Sequence, residues 1–219
     1  MDRAIFLIQS IFSNYSTVGT AAGKDIIELK SEIIRKMLHF LIALTPGLAA
    51  INKTATIALL VIGTLGYTLM EYFRFSGVKI PVFSTITSIA SRPRDIGRFV
   101  MGPVTLGLGA LLALLLYPSN AAAVAIYALA FGDGIASLAG KTIGRWRPAF
   151  MLGKSVEGSL ACFIVVFTCA YAVCANAQIA FAAAFTATVV ESLPLKDYDN
   201  LAIPVTVGLI IQIVSASVF

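Results

Sequence analysis

Asp133, Glu71, Glu157 and Glu191 stand inside or at the ends of long apolar runs. A charged side chain at the centre of a membrane helix costs about 2.5–3.5 kcal/mol on insertion scales, so such residues face a partner or a cavity and have a task there. Glu71 has Arg74 one helical turn on and reads first as half of an ion pair. Asp133 has a different setting, the stretch AVAIYALAFGDGIASLAGKTIGRWR over residues 123–147. If the helix runs on, residues 133, 137, 140 and 144 fall within about 60° of one another at roughly 100° per residue. They are Asp, Ser, Gly and Gly, a small polar face on which a ligand can approach the backbone, flanked by Gly132 and Gly134. Lys141 and Arg145 follow beside it. A carboxylate, bare backbone and then cations suit a magnesium–phosphate group, with the acid on the metal and the amides and cations on the phosphate oxygens.

Two further blocks carry similar chemistry. In LGKSVEGSLACF (152–163), Gly153 frees the backbone, Lys154 is a point charge for phosphate, Ser155 can cap a helix, and Glu157 lies in its first turn. In VVESLPLKDYDNLAIP (189–204), Glu191, Asp197, Asp199 and Asn200 gather hard oxygen ligands at one turn. His39, the single histidine, follows Arg35 by four residues and is read as a hydrogen-bonding or substrate-contacting group. Neither GK[ST] triplet is a P-loop. Gly134 and Gly140 are separated by five residues where four are needed, and Pro148 stands where Gly153 requires its partner glycine.

These residues need helices to position them. The chain has 219 residues, 58% hydrophobic and 12% charged, with a mean hydropathy of +0.91. Soluble domains carry about 25% charged residues, so a water-soluble globule is excluded and a single integral membrane domain over 1–219 is expected. Apolar periodicity predicts an all-α bundle of about seven membrane helices: 33–51, 54–73, 99–117, 119–140, 158–175, 177–194 and 201–218. Ahead of it, AIFLIQSIF lacks a convincing small-residue cleavage site, and 1–32 is read as an amphipathic interfacial segment. Cys162, Cys169 and Cys174 form no CxxC pair and read as apolar filler.

The basic residues fall before the first span (Lys24, Lys30, Arg35, Lys36) and after the second, fourth and sixth (Arg74, Lys79, Arg92, Arg94, Arg98, Lys141, Arg145, Arg147, Lys154, Lys196), whereas the opposite side has Lys53. The positive-inside rule puts the N-terminus and these segments in the cytoplasm and the C-terminus outside. A net charge of +5 gathered on that face suits anionic headgroups or a nucleotide; nucleic acid is not expected as a partner.

Taken together, RKMLHF, GDGIASLAGKTIGRWR, GKSVEGSLACF and VESLPLKDYDNLAIP resemble the polyprenol kinase family, which includes dolichol kinases, phytol kinases and CTP-dependent diacylglycerol kinases. The resemblance covers residues 33 to about 205. It implies phosphoryl transfer from CTP to a membrane alcohol, with a divalent metal such as Mg²⁺ and a cytoplasmic active site. It also implies roles for Asp133; for Lys154 with Ser155, Glu157, Gly158 and Ser159; for Glu191, Asp199 and Asn200; and for Arg35, Lys36 and His39. Val156 stands where plant members tend to have an aromatic residue.

The expected mechanism has Asp133 holding Mg²⁺ with help from Glu191 or Asp199. Lys154, Arg145 and Lys141 bind phosphate oxygens, and Asp133 or Glu157 takes the alcohol proton. Gly132, Gly134, Ser137, Gly140, Gly144, Ser155, Gly158, Ser159 and Asn200 complete the expected nucleotide site, with Glu71 and Arg98 near the acceptor. A phosphatidate cytidylyltransferase is the nearest alternative: Lys196-Asp197 matches its late motif, but no HGG or DRxD follows. A small transporter is the other, opposed by acids that cluster at one face. The identity of the lipid alcohol and the oligomeric state stay open.

Overall fold

Local signals decide where the apolar runs become helices. Asn176, in extended backbone, accepts hydrogen bonds from the N–H groups of Gln178 and Ile179 at 2.9 and 3.1 Å, so a helix begins at Ala177. Ser155 does the same for the preceding helix, accepting from the Gly158 N–H at 3.1 Å. That helix ends where Ala175 turns left-handed, with φ 50°.

A computed structural model describes residues 32–33, 35–78, 80–81, 83–84, 87, 91, 95, 97–151 and 153–218. The helices are α1 (Thr45–Phe75), α2 (Gly102–Leu116), α3 (Ser119–Tyr127), α4 (Gly134–Thr142), α5 (Val156–Cys174), α6 (Ala177–Ser192) and α7 (Asp199–Val218). Residues 35–42 form a short helix ahead of α1. A π-helical turn, Ala128–Asp133, joins α3 to α4. No strand occurs among the described residues, as the all-α reading expects. The expected interfacial helix lies outside the described residues apart from Glu32, as do Lys79, Arg92 and Arg94.

The expected count of about seven spans needs correction. Among the described residues, four stretches are long and apolar enough to cross a membrane: Thr45–Phe75, Ser119–Thr142, Val156–Cys174 and Lys196–Ser217. α2 and α6, with 15 and 16 residues, fall short of the roughly 20 that a hydrocarbon core requires. The expected span 33–51 is broken by a turn at Ala43 and Leu44, after which Pro46 opens a new helix. Asn52 then leaves helical geometry (φ −152°, ψ 100°), and its side chain accepts the Ala55 N–H at 2.9 Å. The helical stripe is also shorter than expected. α4 ends at Thr142, so Gly144 lies in the loop beyond it.

The surface supports membrane association. α1 exposes Leu59, Ile62, Leu65 and Leu69, and its most apolar window has a mean hydropathy of 1.7 with 6% of it buried. Each such side chain left in water forgoes about 1.5–3 kcal/mol of burial, which hydrocarbon supplies instead. Inside, fully buried Ala180, Ala183, Ala184 and Ala187 let α6 pack closely against α5 and α7. Where α5 crosses α4, a Cβ on Gly158 would lie 2.7 Å from the Ala136 carbonyl oxygen, so only glycine permits this approach.

Candidate functional site

The polar residues of four separate segments meet at one end of the bundle. The π turn carries Asp133 to the base of this region, in a chain whose Gly132-Asp133-Gly134 offers no bulk on either side. π turns insert an extra residue into a helical turn and recur at functional sites. Asp133 is 5% exposed. Its Oδ2 accepts a hydrogen bond from Lys36 Nζ at 2.5 Å and lies 3.3 Å from His39 Nδ1. Lys36 is itself buried, 2% exposed, so the short helix over 35–42 is held to α4 by an ion pair away from water.

Around Asp133 the bundle opens into two cavities, and Asp133 and Asp199 line both. The first is a polar cleft of roughly 610 Å³. Its cations are Lys36, Lys141, Arg147 and Lys154; its hydroxyls are Ser137, Ser155 and Ser159; its bare backbone is Gly140, Gly153 and Gly158. Glu191 completes its acidic side, beside Asp133 and Asp199. Gly153 adopts φ +96°, a left-handed conformation that turns the loop before Lys154. Lys154 Nζ donates to the Glu191 backbone carbonyl and to its Oε1, the latter at 2.9 Å. Arg147 donates to the carbonyls of Gly140 and Gly153 and so ties the α4 end to the loop. The second cavity, roughly 680 Å³, is a more apolar chamber with Leu38, Tyr67, Val100, Pro103 and Leu106 in its wall.

Asp133, Lys154, Glu191, Asp199, Lys36, Ser137, Gly140, Lys141, Ser155, Gly158 and Ser159 all line the cleft. Arg35 and His39 face the chamber. Other expected site residues are placed differently. Glu157 lines neither cavity; its carboxylate accepts the Arg145 and Trp146 backbone N–H groups at 2.9 and 3.1 Å, fastening the loop ahead of α5. Arg145 contributes that N–H and is absent from both walls. Glu71 is locked by Arg74 at 2.6 Å and by the Val100 N–H at 2.7 Å, and the Arg98 carbonyl accepts from Arg74 at 2.9 Å. Both serve the α1–α2 connection. Gly132, Gly134 and Gly144 pack against neighbours without reaching the cavities. Asn200 lines the chamber instead of the cleft, its Nδ2 donating to Gly102 O at 3.2 Å and Thr105 Oγ1 at 3.0 Å.

The expected metal set does not close on itself. Among the described residues no three His, Cys, Asp or Glu side chains come together as a metal-holding group. Glu191 is engaged by Lys154. Mg²⁺ bound with a nucleotide needs only one or two protein carboxylates, because phosphates and waters fill the remaining positions. Asp133 and Asp199 on one cleft fit that requirement, and a resident metal held by protein alone does not fit.

Glu32 is a buried carboxylate beside the site that sequence reasoning passed over. It is 1% exposed and takes hydrogen bonds from Ser137 Oγ at 2.6 Å and Lys141 Nζ at 2.7 Å, besides pairing with Arg35. Its signal was local: an acid three and four residues before Arg35 and Lys36. Burial acts to raise its carboxyl pKa, but Arg35, Lys36, Lys141 and Ser137 outweigh burial and hold it down at about 2. A depressed carboxyl stabilises the fold fully above its ordinary value near 4.5, and that contribution fades as pH falls toward 2. The melting temperature of the detergent-solubilised protein should therefore decline on acidification below about pH 5. Glu32→Gln should start lower at neutral pH and decline less steeply; parallel curves for the two proteins would contradict this assignment.

Comparison with protein-family models, with curated proteins and with solved structures finds no match to this chain, so its residues and their geometry carry the functional argument.

Proposed function

We propose that this protein is a CTP-dependent lipid kinase that resembles the polyprenol kinases and moves the terminal phosphoryl group of a nucleoside triphosphate to the hydroxyl of a membrane lipid alcohol. One observation carries the reading. Lys36, the 133–141 segment, the 153–159 segment and the 191–199 turn contribute cations, hydroxyls, bare backbone and carboxylates to a single cleft. Phosphoryl transfer asks mainly for positioning and charge neutralisation, and this is the inventory it uses.

In this reading Lys154, Lys141 and Arg147 neutralise the triphosphate, while Ser155, Ser159 and the glycine backbone let it lie close. Asp133 and Asp199 would hold a nucleotide-bound Mg²⁺, which would supply charge neutralisation to the transferred group. Asp133, which lines both cavities, orients the alcohol hydroxyl toward the cleft. CTP as donor rests on the family resemblance. The distribution of basic residues puts the cleft at the cytoplasmic surface.

The test is the product pair. Purified protein in lipid nanodiscs, supplied with labelled CTP, Mg²⁺ and a panel of isoprenoid alcohols and diacylglycerol, should yield CDP and a phosphorylated lipid in equal amounts. Pyrophosphate with a CDP-lipid would assign a cytidylyltransferase. Nucleotide-stimulated flux in liposomes without nucleotide consumption would assign a transporter.

A further inference from the structure

We propose that the apolar chamber on the far side of Asp133 is the binding site for the acceptor's head, and that it selects an uncharged hydroxyl over a phosphate-bearing lipid. The inference rests on the kinase reading for what happens to the hydroxyl, but the site is argued from its own atoms.

Buried polar atoms without a partner are rare and call for a missing ligand or water. Four occur among the described residues: Arg35 Nε, His39 Nδ1, Asn200 Oδ1 and Ser159 Oγ. Three of the four residues line this chamber, and Ser159 lines the polar cleft. His39 and Asn200 are 6% and 4% exposed, so bulk water does not satisfy them. Unmet buried groups are costly, and their convergence on one cavity favours an occupant.

The orphans specify that occupant. Asn200 Oδ1 can only accept, because its Nδ2 is already spent on Gly102 and Thr105. Arg35 Nε can only donate. His39 hydrogen-bonds the Leu129 backbone through its ring, which leaves Nδ1 as an acceptor 3.3 Å from Asp133 Oδ2. A hydroxyl supplies one donor and two lone pairs, and so answers both kinds of orphan at once. A phosphate dianion has no donor. The tail has an apolar route outward along Leu38, which is 38% exposed on the same helical face as Met37 and Leu41.

The experiment uses the full chain in nanodiscs and two photoactivatable probes, a diazirine-bearing isoprenoid alcohol and a diazirine-bearing diacylglycerol, with labelled peptides mapped by mass spectrometry. Label should fall on segments 35–39, 95–106 and 197–200, with or without nucleotide, and whichever probe labels more strongly identifies the acceptor's tail. Unlabelled alcohol should suppress labelling at least about tenfold more effectively than its phosphate monoester. Leu38→Trp, at a half-exposed position that tolerates bulk, should raise the KM for the alcohol about tenfold and leave the KM for nucleotide unchanged. Leu106→Trp repeats the test from the opposite wall. Labelling confined to other segments, or absent, while phosphorylation proceeds would overturn the chamber and leave the kinase reading standing. Labelling in the chamber with no phosphorylation of any alcohol would overturn the kinase reading and leave a lipid site. Equal competition by the phosphate monoester would overturn the selectivity.

Discussion

Asp133→Asn is expected to lower nucleotide-dependent phosphorylation of a lipid alcohol by at least about 10²–10³-fold, the loss typical when preorganised charge at a reacting centre is removed. Asparagine keeps the shape and loses the charge. The side chain lines both a cation-lined cleft and a chamber with unmet hydrogen-bonding groups, so it is placed to act on both. The substitution also has a structural cost. Lys36 would keep a buried ammonium with only Glu32 nearby, at 3.9 Å. Removing one partner of a buried ion pair costs about 3–5 kcal/mol. Lost activity must therefore be measured beside lost stability. Lys36→Met combined with Asp133→Asn removes both charges and should recover most of the melting temperature that either single change forfeits. Lys36→Met alone keeps the carboxylate and should retain residual turnover, which the double variant should lack. Turnover returning together with stability in the double variant would reduce Asp133 to a structural role.

Lys154→Ala should cut kcat/KM for the nucleotide about 10²-fold, mainly by raising KM. Lys154 is held by the Glu191 carbonyl and carboxylate, so it both fastens the α5 entrance to the α6 exit and presents its charge to the cleft. A double-mutant cycle separates these two roles. If the ion pair with the Glu191 carboxylate were the whole role, Lys154→Ala, Glu191→Gln and their combination would have the same effect on turnover. If Lys154 meets phosphate, Glu191→Gln should lower turnover less than about tenfold while Lys154→Ala loses far more. Lys154→Arg should restore stability better than turnover, because a planar guanidinium does not replace a compact ammonium at a tight backbone loop.

Helix positions were legible because they depend on neighbours in the chain. Asn176 and Ser155 cap the helices that their sequence context announces, and Asn52 breaks the chain at an expected turn. The number of crossings was less legible. Hydropathy could not show that residues 33–51 would fold as pieces around Pro46, or that α2 and α6 would stop at 15 and 16 residues. Among the site residues, Glu157 was misleading for a local reason. Its place in the first turn of α5 was evident, but the same position suits a cap for the loop, and the N–H groups of Arg145 and Trp146 claim it. The regular stripe after Asp133 was also overstated, since a π turn precedes it and α4 ends before Gly144.

The amino-acid sequence alone determined that this is an all-helical, membrane-compatible chain whose acids and cations concentrate in a few short blocks. Those properties are sums over local hydropathy and residue chemistry. Only the tertiary structure decided which block faces which. It pairs Lys36 with Asp133 across 97 residues and Glu32 with Lys141 across 109. It also turns one carboxylate toward two cavities of different polarity. Such contacts depend on how helices cross, and a crossing is set by small residues such as Gly158 meeting a backbone from another part of the chain, which no local pattern encodes.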